Sequence, residues 1–431
     1  MTLDRSKAPR ISEFPERPIP AERVVTTPGG VTVHFVDNGT IEANRVDVLA
    51  MFGNRQSTVL YGSDDYAAFA PQLVLEGTAA MDGATLAEAL DYAGASVHTG
   101  NSETAIRWSV MSLNDSTPSL LDTLADVLTA PALPEDKFEK LRLKALQNFE
   151  LARTRPATVA ADALVPLVNG PEHPYLRKPD KQDIKDMSYQ ALVEMYAQAI
   201  GHSPLHVFFG GCLTPALEDA VMRFADRLRP SVPTDMIDVP VVPMSPEVPQ
   251  RLHIDMPQSL QTAVTAAIPA IGRDHPDYIP LRLTVMALGG YFGSRLMSNL
   301  REEKGLTYGV NAALLGRHEG AYTLVNAQCL AETGQLVLDE IAAEMRRLAT
   351  EPMDTAELGR LKSYAMSQLM STLDTPMAIV DYYINRLVVG TPDGYFDAQQ
   401  RAIRALDPDT VLRMSTLYLT PTALRAVTAG R

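Results

Sequence analysis

His202 and His206 are four residues apart, the spacing that places two imidazoles on one face of a helix where they can share a zinc ion. Pro204 lies between them, no glutamate follows His202, and the segment runs into the strand-like Leu205 to Phe209, so the pair reads as ordinary packing. His34 and His98 stand alone in strand-like runs, and His173 falls in the turn Gly170-Pro-Glu-His-Pro-Tyr175. Asp64-Asp65 before Tyr66 reads as an N-cap pair. Asn38-Gly39-Thr40 is formally a glycosylation acceptor, but Asn-Gly also makes a tight hairpin turn, which is the simpler reading. Cys212 and Cys329 are far apart with no Cys-x-x-Cys, which excludes a disulfide framework and a cysteine-based zinc site. Gly289-Gly290-Tyr-Phe-Gly293 lacks the strand-to-helix context of a nucleotide loop. The richest stretch is 287–310, ALGGYFGSRLMSNLREEKGLTYGV. It predicts a glycine-rich turn, a helix from about Ser294 to Lys304, a stop at Gly305 and a strand carrying Tyr308. Taken alone, its Arg-Glu-Glu-Lys run is a solvated helix end.

The elements that must position these residues alternate between strand and helix patterns. An irregular arm over 1–20 leads to Val31 to Val36 and Arg45 to Phe52, which the Asp37-Asn38-Gly39 turn predicts to pair as a hairpin. Leu86 to Tyr92 is helical and closes at Gly94; Ala95 to His98 and Thr104 to Met111 are β-type. Helical spacing follows at 119–128 and from Glu135 to about Leu151, then a strand at Leu205 to Phe209 and a helix over 215–228. The proline-rich segment 229–250 reads as a semi-rigid linker. The second half repeats the order, and KFEKLRLKAL at 137–146 lies over AELGRLKSYA at 356–365, about 220 residues on. The expectation is an α+β fold of two homologous domains, 1–228 and 251–431, each a mainly antiparallel sheet packed with helices.

Composition narrows the function classes. The 431 residues carry 38 basic and 52 acidic side chains, a net charge of −14, which argues against nucleic-acid binding and adsorption to anionic lipid. Apolar residues make up 46% and charged residues 21%, as in an ordinary globular chain, and no apolar run is long enough to span a membrane. The N-terminus shows no apolar signal-like core, so the expected location is cytoplasmic.

The stretch around Arg301 resembles the second half of the pitrilysin, insulysin and mitochondrial processing peptidase family, the inverzincins. The shared pattern is Gly289-Gly290, Ser294-Arg295-Leu296 and Leu300-Arg301-Glu302-Glu303-Lys304-Gly305-Leu306-Thr307-Tyr308. Leu75-Glu-Gly77-Thr78, Gly94-Ala95-Ser96 and the His-Pro-Tyr turn ending at Tyr175 resemble the family's first half, so the similarity runs over about 22–428. Active members carry His-x-x-Glu-His shortly before Gly-Thr, with two zinc ligands and a general base on one helix face. The corresponding positions here are Ala68, Pro71 and Gln72. The family's third ligand falls around Gln147 to Glu150, and one carboxylate cannot hold zinc. Residues 66–76 therefore read as a packed helix, shortened or kinked at Pro71.

The resemblance then implies a division of labour. In two-subunit bacterial members one chain bears the metal, and the other lacks it and supplies an Arg/Tyr pair across a closed chamber. Arg301 and Tyr308 would be that pair, stabilising the oxyanion of peptide hydrolysis, with no cofactor bound by this chain and zinc held by a homologous partner. Extended peptide would add as a strand to a sheet edge, whose counterpart here is Ala95, Ser96, Val97 and His98 onward to Asn101. The competing reading is a non-enzymatic peptide-binding or scaffolding homologue.

Overall fold

The computed structural model describes residues 14–37, 39–170, 180–228, 250–317 and 320–431. Residues 229–249 of the expected linker 229–250, most of the turn containing His173, and Asn38 of the expected hairpin turn lie outside the described residues. The first half runs β1 (Arg23–Thr26), β2 (Thr32–Asp37), β3 (Ala43–Ala50), α1 (Asn54–Tyr61), α2 (Asp65–Val74), α3 (Gly83–Tyr92), β4 (Ser96–Asn101), β5 (Ile106–Leu113), α4 (Thr117–Thr129), α5 (Glu135–Ala152), α6 (Pro156–Asn169), α7 (Lys181–Asp186), α8 (Tyr189–Gly201), β6 (Leu205–Gly211) and α9 (Pro215–Arg227). The second runs β7 (Arg251–Asp255), β8 (Gln261–Ala270), α10 (Tyr278–Gly289), a π-helix (Met297–Glu303), β9 (Thr307–Arg317), β10 (Gly320–Leu330), α11 (Gly334–Thr350), α12 (Thr355–Met370), α13 (Pro376–Val389), α14 (Tyr395–Ala405), α15 (Pro408–Tyr418) and β11 (Arg425–Gly430).

The two sheets have orders β1-β2-β6-β3-β5-β4 and β7-β11-β8-β10-β9. Apart from β1, one maps onto the other strand for strand, including a single parallel pair in each, β2 with β6 and β7 with β11. The chain is an α+β protein built from a duplicated unit. The mapping makes α2 and α10 counterparts, and likewise α5 and α12, and the outer strands β4 and β9.

The expected hairpin between Val31 to Val36 and Arg45 to Phe52 does not form. β6 lies between β2 and β3, parallel to one and antiparallel to the other. Val207, Phe208 and Phe209 on β6 are all fully buried, and only an interior position covers both faces of such a strand. The turn after β2 is instead tied to the end of β6, where Asp37 Oδ1 accepts from the backbone N–H of Gly39 and of Leu213.

Each sheet packs its own helices on one face and a helix from the other half on the opposite face. α13 places Ile379, Val380, Tyr383 and Ile384 against Val36, Leu49, Met51 and Phe208 of the first sheet. α6 places Ala160, Leu164, Leu167 and Val168 against Ala263, Ala267, Val427 and Ala429 of the second. The halves on either side of the expected linker thus share packing through α6 and α13.

Polar contacts pin α13 to the first sheet. Asp47, fully buried, accepts from Arg45 Nε at 2.8 Å and from Arg107 at 2.6 and 2.8 Å. Both arginines also reach Asp381 on α13. Beside them, His34 is not the isolated strand residue that its sequence context suggests. Its Nδ1 lies 2.8 Å from Glu22, its Nε2 lies 3.0 Å from His206 Nδ1, and its ring stacks on Phe208 at 4.1 Å. His202 is elsewhere, at the C-terminal end of α8.

Burial, and then the neighbouring His34, push the His206 pKa down from 6.5 to about 4. As the pH falls from about 6.5 towards 4, the unfolded chain takes up this proton and the folded chain does not. Stability should therefore decline through that window, by on the order of 3 kcal/mol at its lower end. Urea unfolding between pH 7.5 and about 4.5 should show a shallower slope for His206→Gln than for wild type; equal slopes would refute this assignment.

Candidate functional site: the Arg301 and Tyr308 cavity

Local irregularities, not regular helix and strand, place Arg301 and Tyr308. The expected α-helix from Ser294 to Lys304 is a π-helix over Met297–Glu303. Its widened turn ends with Lys304 N–H donating to Asn299 O at 3.0 Å and Leu306 N–H to Leu300 O at 2.8 Å. Gly305 then takes φ of +60°, a left-handed conformation that ends the helix without strain. Leu296 and Leu300 are fully buried in the second core, while Arg301 on the opposite side is exposed. Asn299 fixes the turn to α11 by donating to Glu344 at 2.6 Å and Glu340 at 3.1 Å. Lys304 also pairs with Glu340, and its ammonium holds that carboxyl below the usual carboxylate range. Arg295 ties the start of the segment to Glu357 of α12 at 2.8 and 3.2 Å.

Tyr308 follows on β9, the outer strand. Gln328 of β10 pairs with Gly309 and Cys329 with Thr307, so Tyr308 is the extra residue of a β-bulge. Thr307 secures the bulge, its hydroxyl bonded to the carbonyls of Gly309 and Gln328. Tyr308 is 86% exposed. At Gly289 a Cβ would come within 2.7 Å of Ala312 Cβ, so the glycine lets α10 lie directly against β9.

Arg301 and Tyr308 meet on the wall of one cavity of about 770 Å³. Its other walls are Ala157, Ala160 and Ala161 of α6 and the face of β8, β9 and β10. Sequence reasoning missed the amides there: Asn311 and Asn326 are cross-strand partners, and Asn326 also accepts from the Thr265 hydroxyl. Polar residues interrupting the apolar β8 and β10 runs were the available signal. Phe292 was missed too; the Arg301 guanidinium sits 5.0 Å from its ring centroid. The site therefore presents a cation and a phenol beside an amide-lined floor, all hydrogen-bond donors suited to an extended peptide or a developing oxyanion.

The other expected site residues are not part of this cavity. β4 is the edge of the first sheet, with Ser96 and His98 exposed and Val97 half-buried; Ala95 precedes the strand and bonds back to Leu90. In α2 the helix continues through Pro71 to Val74, so the proline does not shorten it. Pro71 is buried and its carbonyl accepts from Trp108 Nε1 at 3.1 Å. Gln72 turns its amide onto the carbonyl of Ala68 at 2.8 Å. Glu150 pairs with Lys181, whose hydrogen bond lowers the Glu150 pKa.

These residues do not fit a zinc ion. A methyl group, a pyrrolidine ring and an amide bonded to its own helix stand where ligands and base would be. Among the described residues no three His, Cys, Asp or Glu side chains group as a metal set. Elemental analysis of the purified chain should give far less than one zinc per molecule; stoichiometric zinc lost in Glu150→Gln would overturn this reading. Among the described residues, too, no helix is long and apolar enough to cross a membrane.

Comparison with known proteins agrees with this architecture. The family Insulinase (Peptidase family M16) matches residues 65–167, and Peptidase M16 inactive domain matches 186–364. A Mycobacterium bovis protein named as an uncharacterized zinc protease is 26% identical over 364 residues, covering 82% of this chain and 81% of its own length. A peptidase M16 inactive domain from Pseudomonas fluorescens superposes with a TM-score of 0.83 at 24% identity, over 95% of this chain and 98% of that one. A Helicobacter pylori protease gives a TM-score of 0.82 at 18% identity, over 95% and 99%. With both family regions in order along one duplicated fold, the chain belongs to the M16 insulinase family of peptidases.

Proposed function

We propose that this chain is the metal-free subunit of a heterodimeric zinc endopeptidase. It completes a chamber with a zinc-bearing homologue and supplies Arg301 and Tyr308 to the peptide held there. The observation that carries this reading is that two separate distortions, a π-helix and a β-bulge, deliver both side chains to one amide-lined cavity. Irregular backbone of these two kinds, π-turns and β-bulges, commonly marks places where side chains are aimed for function. The zinc protease names of relatives and the unsuitable positions 68, 71 and 72 support the division of roles.

Hydrolysis turns the planar scissile carbonyl into a tetrahedral oxyanion. A guanidinium and a phenolic hydroxyl aimed at that oxygen stabilise the charge as it develops, and gain little from the neutral ground state. Zinc and its general base belong to the partner. Extended peptide would hydrogen-bond to an outer strand, and Asn311, Asn326 and Gln328 would take up its amides.

The test is reconstitution. Mixing this chain with an M16 homologue that carries His-x-x-Glu-His should produce peptide cleavage that neither shows alone. The complex should bury at least about 1,600 Å². A homologue fully active by itself and unchanged by this chain would leave the scaffolding reading in its place.

A further inference from the structure

A second cavity, of about 500 Å³, lies in the second half away from Arg301 and Tyr308. It opens among α10, α12, α13 and α14, and is thus walled by α10 and α12, the counterparts of α2 and α5 in the first half. Along α10 it is faced at every fourth residue by Arg282, Met286 and Gly290. Arg273, Arg386 and Tyr395 complete its donor-bearing wall.

The chemistry is one-sided. Arg386 is neutralised by Glu22 and Asp393, but Arg273 and Arg282 have no carboxylate partner among the described residues. Arg282 donates to the side-chain amide oxygen Oε1 of Gln399. The Nε groups of both arginines and the hydroxyl of Tyr395 are buried without a hydrogen-bond partner. Tyr395 is only 7% exposed. In a chain of net charge −14, two half-buried guanidinium groups with no carboxylate partner among the described residues, each with a buried unpaired Nε and set beside an orphaned buried phenol, form a site suited to an anion. Guanidinium forks match the oxygens of phosphate and carboxylate.

We propose that this cavity binds a small, multiply charged oxyanion, a phosphoryl- or polycarboxylate-bearing metabolite. Its volume is within the roughly 300–1,000 Å³ typical of small-ligand sites. Asn385 and Arg386 reach it from α13, whose other face carries Ile379 and Val380 against the first sheet. A bound anion therefore braces the helix that joins the two halves, and stabilises the whole chain.

The experiment uses the full chain, titrated by calorimetry with sodium phosphate, pyrophosphate and citrate and melted in each. Sodium chloride at matched ionic strength is the control. Saturable binding near one anion per chain and a rise in Tm beyond the chloride control are expected, with pyrophosphate against citrate separating a phosphoryl from a carboxylate ligand. Arg282→Gln should weaken binding about tenfold or more. Gln368→Glu, at an exposed position of the cavity wall, adds repulsion without touching the core, so it reports binding even if the Arg282 variant folds poorly. Tyr395→Phe removes an unpaired donor, so the free chain should keep its Tm while affinity falls. No saturable heat with any of the three anions, an equal Tm rise in chloride, or unchanged affinity in both Arg282→Gln and Gln368→Glu would overturn the proposal.

Discussion

Tyr308→Phe and Arg301→Ala should each slow peptide cleavage by the reconstituted pair about 10²–10³-fold, equivalent to about 2.7–4 kcal/mol of lost transition-state stabilisation. The loss should fall on kcat more than on KM, because only the transition state carries the oxyanion. The double variant should be far from additive, since both donors serve one oxygen. Folding is a clean control here. Tyr308 is 86% exposed and Arg301 is also exposed, so neither change opens a cavity in the core. Asn299→Ala makes a useful companion. Asn299 touches no peptide, but its loss frees the π-helix from Glu344 and should shift both kcat and KM while the Arg301 side chain is intact. Rates within about threefold of wild type for both Arg301 and Tyr308 variants, well below the effect of an oxyanion donor, would make the pair structural.

Asp47→Ala should destabilise the chain by about 3–5 kcal/mol. Asp47 is fully buried and accepts from both Arg45 and Arg107, and the Arg45 side chain is 11% exposed. Burial alone would lower the Arg45 pKa; Asp47 and Asp381 outweigh it and raise the value instead. Removing Asp47 leaves two guanidinium groups side by side, answered only by the half-exposed Asp381 of α13. Urea unfolding at pH 7 measures the change. Replacing Arg45, Asp47 and Arg107 together, by Arg45→Met, Asp47→Leu and Arg107→Met, should cost less than the single deletion, because the one charge left behind, Asp381, is half-exposed. A loss below about 1 kcal/mol for Asp47→Ala, the level of an exposed pair, would mean that water reaches the network.

Local patterns made much of the fold legible. The spacing of Phe138, Leu141, Ala145 and Phe149 locates α5, and alternation locates β4 and β5. The repeated element order disclosed the duplication that the two sheets display. What failed was long-range. The Asn-Gly turn predicted a hairpin, but β6, arriving about 170 residues later, separates β2 from β3. His34 read as solitary because its partner His206 is 172 positions away. No local pattern shows that α6 and α13 each cross to the other half's sheet. At the site, the residue types were legible and the means of placing them were not. Neither the π-turn under Arg301 nor the bulge at Tyr308 changes the hydrophobic period enough to be seen.

The crossing of α6 and α13 also dictates an order of events on the ribosome. When residue 228 has been synthesised, one face of the first sheet still exposes Leu49, Met51 and Phe208, because α13 begins at Pro376. At the same moment α6 has no sheet to rest on, since β8 begins at Gln261. At about 5–20 residues per second, the nascent first half waits several seconds or more with an apolar sheet face uncovered. Contacts of such high sequence separation form slowly, and a chain stalled in that interval is a natural client for a chaperone.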